Sequence, residues 1–133
     1  MRVLVCGGRE YADAVTLREV LDRLHAETPF SLVIHGDTRG ADTLAEQWAL
    51  RTRIPVRPFP ADWARDGRAA GARRNCRMLV EGKPDLVVAF PGGRGTAHMV
   101  SIARAAGVQV AIVSKAGERG AELVEWVVWV GSL

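Results

Sequence analysis

Glycine-rich segments carry the residues of this chain best suited to chemistry, and the clearest is Pro91-Gly92-Gly93-Arg94-Gly95-Thr96. Glycines let a ligand approach the backbone without interference from Cβ atoms. The amides of such a turn, together with the N–H groups at the start of the helix that follows, form a binding site for an anion. Thr96 could cap that helix or donate to a phosphate. The segment therefore predicts a site for a nucleotide or a phosphorylated sugar.

Three other segments place glycine beside charged or polar side chains, and we expect them to contribute to the same site. Their candidate ligand-binding residues are Gly7, Gly8, Arg9, Gly36, Asp37, Asp42, Arg68, Arg74 and Asn75. An arginine can bind a phosphate through two hydrogen bonds, and Asp42 could accept hydrogen bonds from ribose hydroxyls. Asp42 also has a purely local interpretation, because the helix dipole favours a carboxylate in a first helical turn.

Other residues near these segments have stronger structural alternatives. Trp63 could stack on a base, but packing in the core is the better expectation for it. His35 follows a predicted strand, where a histidine is more often structural than catalytic. The five arginines between residues 65 and 77 could form a solvated helix face as readily as an anion site.

Strand and helix patterns alternate along the chain. Strands are predicted at Arg2–Cys6, Ser31–His35, Pro55–Phe59, Asp85–Phe90 and Val108–Val113, and helices at Asp13–Glu27, Ala41–Leu50, 66–81, Thr96–Ala106 and, in the tail, Glu118–Val130. This alternation predicts an α/β fold, a Rossmann-like doubly wound domain whose mainly parallel sheet of about five strands has helices on both faces. Ligands of such folds bind beyond the carboxyl ends of the strands, where the four glycine-bearing segments fall.

Length and composition restrict the remaining possibilities. The 133 residues suit a single domain over residues 1–133, and 48% hydrophobic with 25% charged residues is typical of a soluble globular protein. No apolar run approaches the roughly 20 residues of a membrane span, so we expect no membrane partner. Cys6 and Cys76 form neither a disulfide framework nor a metal-ligand spacing. We therefore expect a cytoplasmic protein without a metal or a resident cofactor.

The order of the motifs resembles the SLOG superfamily, in its YspA/YpsA-related branch. The matching motifs are G-G-R-x-Y from residue 7, H-G-x-x-x-G-A-D from residue 35, F-P-A-D-W-x-x-x-G-R-x-A-G-x-x-R-N-x-x-M from residue 59 and F-P-G-G-x-G-T-A from residue 90. They span about residues 2 to 113. The resemblance implies a Rossmann-like fold and a nucleotide or nucleotide-derived ligand at the Pro91–Thr96 turn.

More distantly, the chain is similar to the "Lonely guy" phosphoribohydrolases, which cleave the N-glycosidic bond of a nucleoside monophosphate. Their catalytic arginine matches Arg74, but Met99 stands where they have a catalytic glutamate. A thioether cannot act as an acid or a base, so this comparison favours a binding protein, a sensor or carrier of a nucleotide. The alternative is an N-glycosidic-bond hydrolase in which Arg74 is catalytic and Asp42 or Asp62 is the acid.

Two further implications come from the same relatives. DNA-processing DprA-like proteins of the superfamily imply a weaker alternative, binding of single-stranded nucleic acid, which the net charge of +3 permits. The phosphoribohydrolases imply a homodimer, for which the apolar tail around Trp126 and Trp129 is a candidate surface.

Overall fold

The computed structural model describes residues 1–114 and 127–130. The strands in these residues are β1 (Arg2–Cys6), β2 (Leu32–His35), β3 (Val56–Pro58), β4 (Leu86–Ala89), β5 (Gln109–Val113) and β6 (Val127–Val130). The helices are α1 (Ala14–Glu27), α2 (Ala41–Thr52), α3 (Trp63–Asp66), α4 (Ala70–Gly82) and α5 (Arg94–Ala105), with a 3₁₀ turn at Gly67–Ala69 between α3 and α4.

The strands form one sheet in the order β3-β2-β1-β4-β5-β6. The first five strands are parallel, and β6 is antiparallel to β5. The chain begins in the middle of the sheet, adds β2 and β3 on one side, and then crosses to add β4 and β5 on the other. The strand order therefore reverses between β1 and β4, as in a doubly wound sheet. The predicted Rossmann-like α/β fold is confirmed.

Alternating side chains of the strands enter two separate cores. Val3 and Val5 of β1 are buried with residues of α1 and α2, whereas Leu4 between them is buried with residues of α4 and α5. Helices thus cover both faces of the sheet. Full burial of such side chains contributes about 1.5–3 kcal/mol each.

The first helix shows how local sequence produces one of these layers. Asp13 caps α1 by accepting a hydrogen bond from the amide of Thr16 at 3.0 Å. Leu17, Val20 and Leu21 follow at helical spacing and are fully buried or nearly so.

None of the helices in the described part of the chain is long and apolar enough to cross a membrane.

One predicted helix is contradicted by the structure. The prediction of a helix over Glu118–Val130 is wrong at its C-terminal end, because Val127–Val130 forms β6 and pairs with Val110–Val113 of β5. Residues 118–126 lie outside the described residues. Three valines in four positions favour an extended backbone, and the edge of β5 supplies hydrogen-bonding groups that a local pattern does not reveal.

Candidate ligand-binding site

A cavity of about 650 Å³ opens beyond the carboxyl ends of β1 and β4, at the reversal of strand order. The loops after β1 and β2, the start of α4 and the start of α5 form its walls. Most of the residues predicted from the sequence line it, namely Gly7, Gly8, Arg9, Gly36, Asp42, Arg68, Arg74, Asn75, Gly93, Gly95 and Thr96.

Three predicted site residues lie outside this lining and shape the loops instead. Asp37 is exposed and takes a left-handed φ of 58°. The carbonyl of Pro91 accepts a hydrogen bond from the amide of Gly8 at 2.9 Å, which ties the turn before α5 to the loop after β1. Gly92 lies so close to this junction that a Cβ would collide with Thr96 Oγ1 and the Gly8 amide.

Asp42 fastens the loop after β2. Its Oδ2 accepts hydrogen bonds from the amides of Gly36 at 3.1 Å and Thr38 at 3.3 Å, and from Thr38 Oγ1 at 2.9 Å. Burial raises the pKa of the Asp42 carboxyl above its ordinary value, although the hydrogen bonds from Thr38 and the charge of Arg74 act in the opposite direction. One oxygen of this carboxyl is therefore committed to holding the loop.

Arg74 places a buried positive charge beside the loop after β2. Its Nη1 donates to the carbonyl oxygen of Gly36, and its Nε donates to Asn75 Oδ1 at 3.1 Å. Burial lowers the pKa of Arg74, with Asp42 opposing that shift, but a guanidinium remains charged at neutral pH. Nη2 makes no hydrogen bond to any residue that the structure describes. The Nη2 amino group of a fixed guanidinium is thus left for a ligand in the cavity.

The first turn of α5 supplies further donors. Gly93 occupies the cap position, and no side chain in the described residues caps it. The first amides of a helix lack acceptors within the helix and lie at the positive end of its dipole. Apart from its immediate chain neighbours and the backbone of α5, a Cβ built on Gly93 or Gly95 would have no described atom within 4 Å. The backbone here is therefore open to an anion.

Trp63 lies at the cavity, so the expectation that it packs in the core is wrong. It is 51% exposed, and it begins α3, a helix of only four residues capped by Asp62, whose Oδ1 accepts from the Arg65 amide at 3.0 Å. The guanidinium carbon of Arg9 lies 5.6 Å from the centre of the Trp63 ring, a cation–π distance. An aromatic face and a cation therefore share one side of the cavity.

Several lining residues have no role in the predicted site, among them Cys6, Thr38, Arg94 and His98. Arg94 and His98 are four residues apart on α5, so helical spacing from the glycine turn could have suggested the second. Cys6 ends β1, and burial raises the pKa of its thiol well above the ordinary value. A neutral buried thiol is a poor nucleophile, so Cys6 serves as a wall of the cavity.

Comparison with known proteins agrees with the fold and the motifs. The model of the YspA, cpYpsA-related SLOG family matches residues 1–65. The Gene 61 protein of Mycobacterium phage D29 is 42% identical over 118 residues, which cover 82% of this chain and 93% of that protein. The chain belongs to the YspA, cpYpsA-related SLOG family. No solved structure matches it.

Within this SLOG fold, the position of each candidate acidic residue relative to the cavity bears on whether hydrolysis is possible. Met99, at the position of the phosphoribohydrolase glutamate, is fully buried in the core beneath α4 and α5 and does not line the cavity. Asp62 is exposed and caps α3 outside the lining. Among the described residues Asp42 is therefore the only carboxylate at the cavity, beside the guanidinium groups of Arg9, Arg68, Arg74 and Arg94.

Proposed function

We propose that this SLOG protein binds a nucleotide or a related phosphorylated ribose as a sensor or carrier. The observation that carries the proposal is the meeting of two kinds of donor at one cavity: Nη2 of the buried Arg74 and the uncapped first turn of α5. Both favour an anion, and a phosphate can accept from a guanidinium and from helix amides at the same time. The remaining arginines of the lining increase the positive potential at the mouth of the cavity.

The aromatic wall supports a nucleotide over a simple sugar phosphate. The exposed face of Trp63 offers a platform for a planar base, and stacking of this kind is worth about 1–3 kcal/mol per base. The guanidinium of Arg9 lies near that ring. A base entering the site would take this place on the ring, and Arg9 would then turn to the phosphate.

Hydrolysis of an N-glycosidic bond is the second candidate function, and one observation favours it. Asp42 is a buried carboxyl at the cavity whose pKa is raised, a property that suits a general acid. We rank this function second because Oδ2 of Asp42 accepts three hydrogen bonds from its own loop. The glutamate position of the hydrolases, moreover, holds the core residue Met99.

A panel of compounds separates the two functions. Thermal unfolding and calorimetric titration would use AMP, GMP, CMP, UMP, NAD and ribose 5-phosphate, with chromatography of each mixture for released base. Binding by a sensor or carrier predicts stabilisation by at least one nucleotide and no free base. Base release that disappears in Asp42→Ala would establish the hydrolase instead, whereas neither stabilisation nor released base with any compound would contradict both.

The weaker alternative, binding of single-stranded nucleic acid, has a separate signature. Affinity for an oligonucleotide would then fall steeply as salt rises, because each phosphate contact releases counterions. A titration of a short single-stranded DNA at several salt concentrations measures that slope. Absent binding, or a flat response, would leave the nucleotide as the ligand class.

A further inference from the structure

His98 lies on α5, one helical turn beyond Arg94, and its half-buried ring lines the cavity. Its Nδ1 is 3.1 Å from Nδ2 of Asn75. A neutral imidazole carries its proton on one nitrogen only, and the partner of the other nitrogen decides which. The orientation of the Asn75 amide therefore determines what His98 offers to a ligand.

Two neighbours of Asn75 determine that orientation. Arg74 Nε, which can only donate, is 3.1 Å from Asn75 Oδ1. The carbonyl of Gly95, which can only accept, is 3.1 Å from Asn75 Nδ2. Turning the amide over would place donor against donor and acceptor against acceptor. The NH₂ group thus faces both Gly95 and His98, and its second hydrogen is directed to the Nδ1 of His98.

Because Nδ1 accepts this hydrogen bond, the neutral ring must carry its proton on Nε2. Nε2 has no partner among the residues that the structure describes. We propose that His98 is a ligand-selecting residue that presents a fixed Nε2–H donor to an acceptor oxygen or nitrogen of the bound nucleotide. The proposal rests on the function proposed above. Because α5 rises about 6 Å from Arg94 to His98, the acceptor belongs to the sugar or base side of a phosphate held at the helix start.

The tautomer is measurable without any ligand. Nitrogen-15 NMR of the imidazoles at mildly alkaline pH, where histidines are neutral, distinguishes the two forms. The chain has three histidines, and the resonance missing from His98→Gln assigns the one of interest. We expect the Nε2–H form for His98. The Nδ1–H form, or rapid exchange between the two, would overturn the proposal.

The contact with the ligand is tested by two variants that place an amide at different depths. In His98→Gln the amide nitrogen reaches about as far as Nε2, whereas in His98→Asn it stops near the level of Nδ1. Calorimetric titration with AMP, GMP, CMP and UMP measures the affinity of each variant for the tightest-binding nucleotide. His98→Gln should bind it within about threefold of wild type. His98→Asn should bind it about tenfold more weakly, the loss expected for one hydrogen bond.

Equal affinities of wild type and both variants would overturn the contact while leaving nucleotide binding itself intact. Failure of the wild type to bind any of the four nucleotides would contradict the proposed function and the contact together. The NMR result would still show whether Asn75 holds the ring in the Nε2–H form, so the two failures are distinguishable.

Discussion

The guanidinium of Arg74 donates to the carbonyl oxygen of Gly36 and so joins the start of α4 to the loop after β2. A Cβ on Gly36 would lie 2.6 Å from Arg74 Nη1. The close packing of these two residues therefore depends on the absence of a side chain at position 36. It holds Nη1 of the guanidinium against the backbone, whereas Nη2 has no hydrogen-bond partner among the described residues.

Adding a methyl group at Gly36 should therefore destabilise the protein. The side chain of Arg74 is buried and cannot move away freely, so we expect Gly36→Ala to lower the free energy of unfolding by about 1–3 kcal/mol, the range for overpacking. Gly95→Ala is the matched control, since a Cβ there meets no described atom within 4 Å. Urea denaturation of both variants measures the difference. A loss no larger for Gly36→Ala than for the control would contradict the close packing.

Removal of the buried guanidinium should weaken nucleotide binding selectively. Arg74→Gln loses a charged donor at the cavity, and hydrogen bonds to charged groups are worth about 1.5–3 kcal/mol, so we expect at least a tenfold loss of affinity by calorimetry. Arg73→Gln makes the same charge change on an exposed side chain that pairs with Asp66 at 3.5 Å. That control should bind within about twofold of wild type. Equal losses in the two variants would indicate a general effect of charge.

Truncation of Trp63 should weaken the binding that comes from the base and leave the binding that comes from the phosphate unchanged. Loss of stacking in Trp63→Ala should weaken the binding of a nucleoside monophosphate by about 1–3 kcal/mol and leave ribose 5-phosphate unaffected. Val80→Ala is a control for loss of an exposed apolar side chain, because Val80 is 72% exposed on α4 and does not line the cavity. An equal loss for the nucleotide and the sugar phosphate would show that Trp63 does not contact the base.

The buried carboxyl of Asp42 should make stability depend on pH. Because its pKa is raised in the folded protein, the folded state binds this proton more tightly than the unfolded chain, where the pKa of aspartate is about 4. The corresponding stability is present at low pH and is lost as pH rises from the unfolded pKa through the folded pKa. Asp42→Asn lacks this titration. Denaturation at several pH values gives the free energy of unfolding of both proteins. The value for wild type minus the value for the variant should therefore fall as pH rises across this window. A rise would mean that Thr38 and Arg74 stabilise the carboxylate more than burial destabilises it.

Local patterns predict the parallel strands and the glycine turns well, because each depends on a short stretch of sequence. The position of Trp63 depends on α3, whose four residues are too few for a helical periodicity. Arg73 and Arg74 are adjacent and of one type, yet the phase of α4 exposes the first and buries the second. The strand Val127–Val130 forms against the free edge of β5, a partner 14 to 20 residues earlier in the chain that the local pattern does not reveal.

The sequence around His98 does not by itself predict its role, because the hydrogen bonding of its ring depends on residues of a second helix, α4. Arg74 orients Asn75, Asn75 orients His98, and Gly95 fixes the amide between them. The contacts of Asn75 with Gly95 and His98 join α4 to α5 across 20 and 23 residues of sequence. Spacing within one segment cannot reveal such a network, although helical spacing does place His98 on the same side of α5 as Arg94.

Filling the open backbone at Gly93 tests nucleotide binding at this cavity most directly. Gly93 has a φ of −104°, outside the left-handed region that favours glycine, and a valine side chain there would occupy the place expected for the phosphate. We expect Gly93→Val to lose about 1 kcal/mol of stability, as for an unfavourable cap residue, and to abolish calorimetric binding of the tightest-binding nucleotide of the panel. Ala105→Val, at the exposed far end of α5, should bind as wild type does. Undiminished nucleotide binding by folded Gly93→Val would contradict the assignment of the phosphate site to the start of α5.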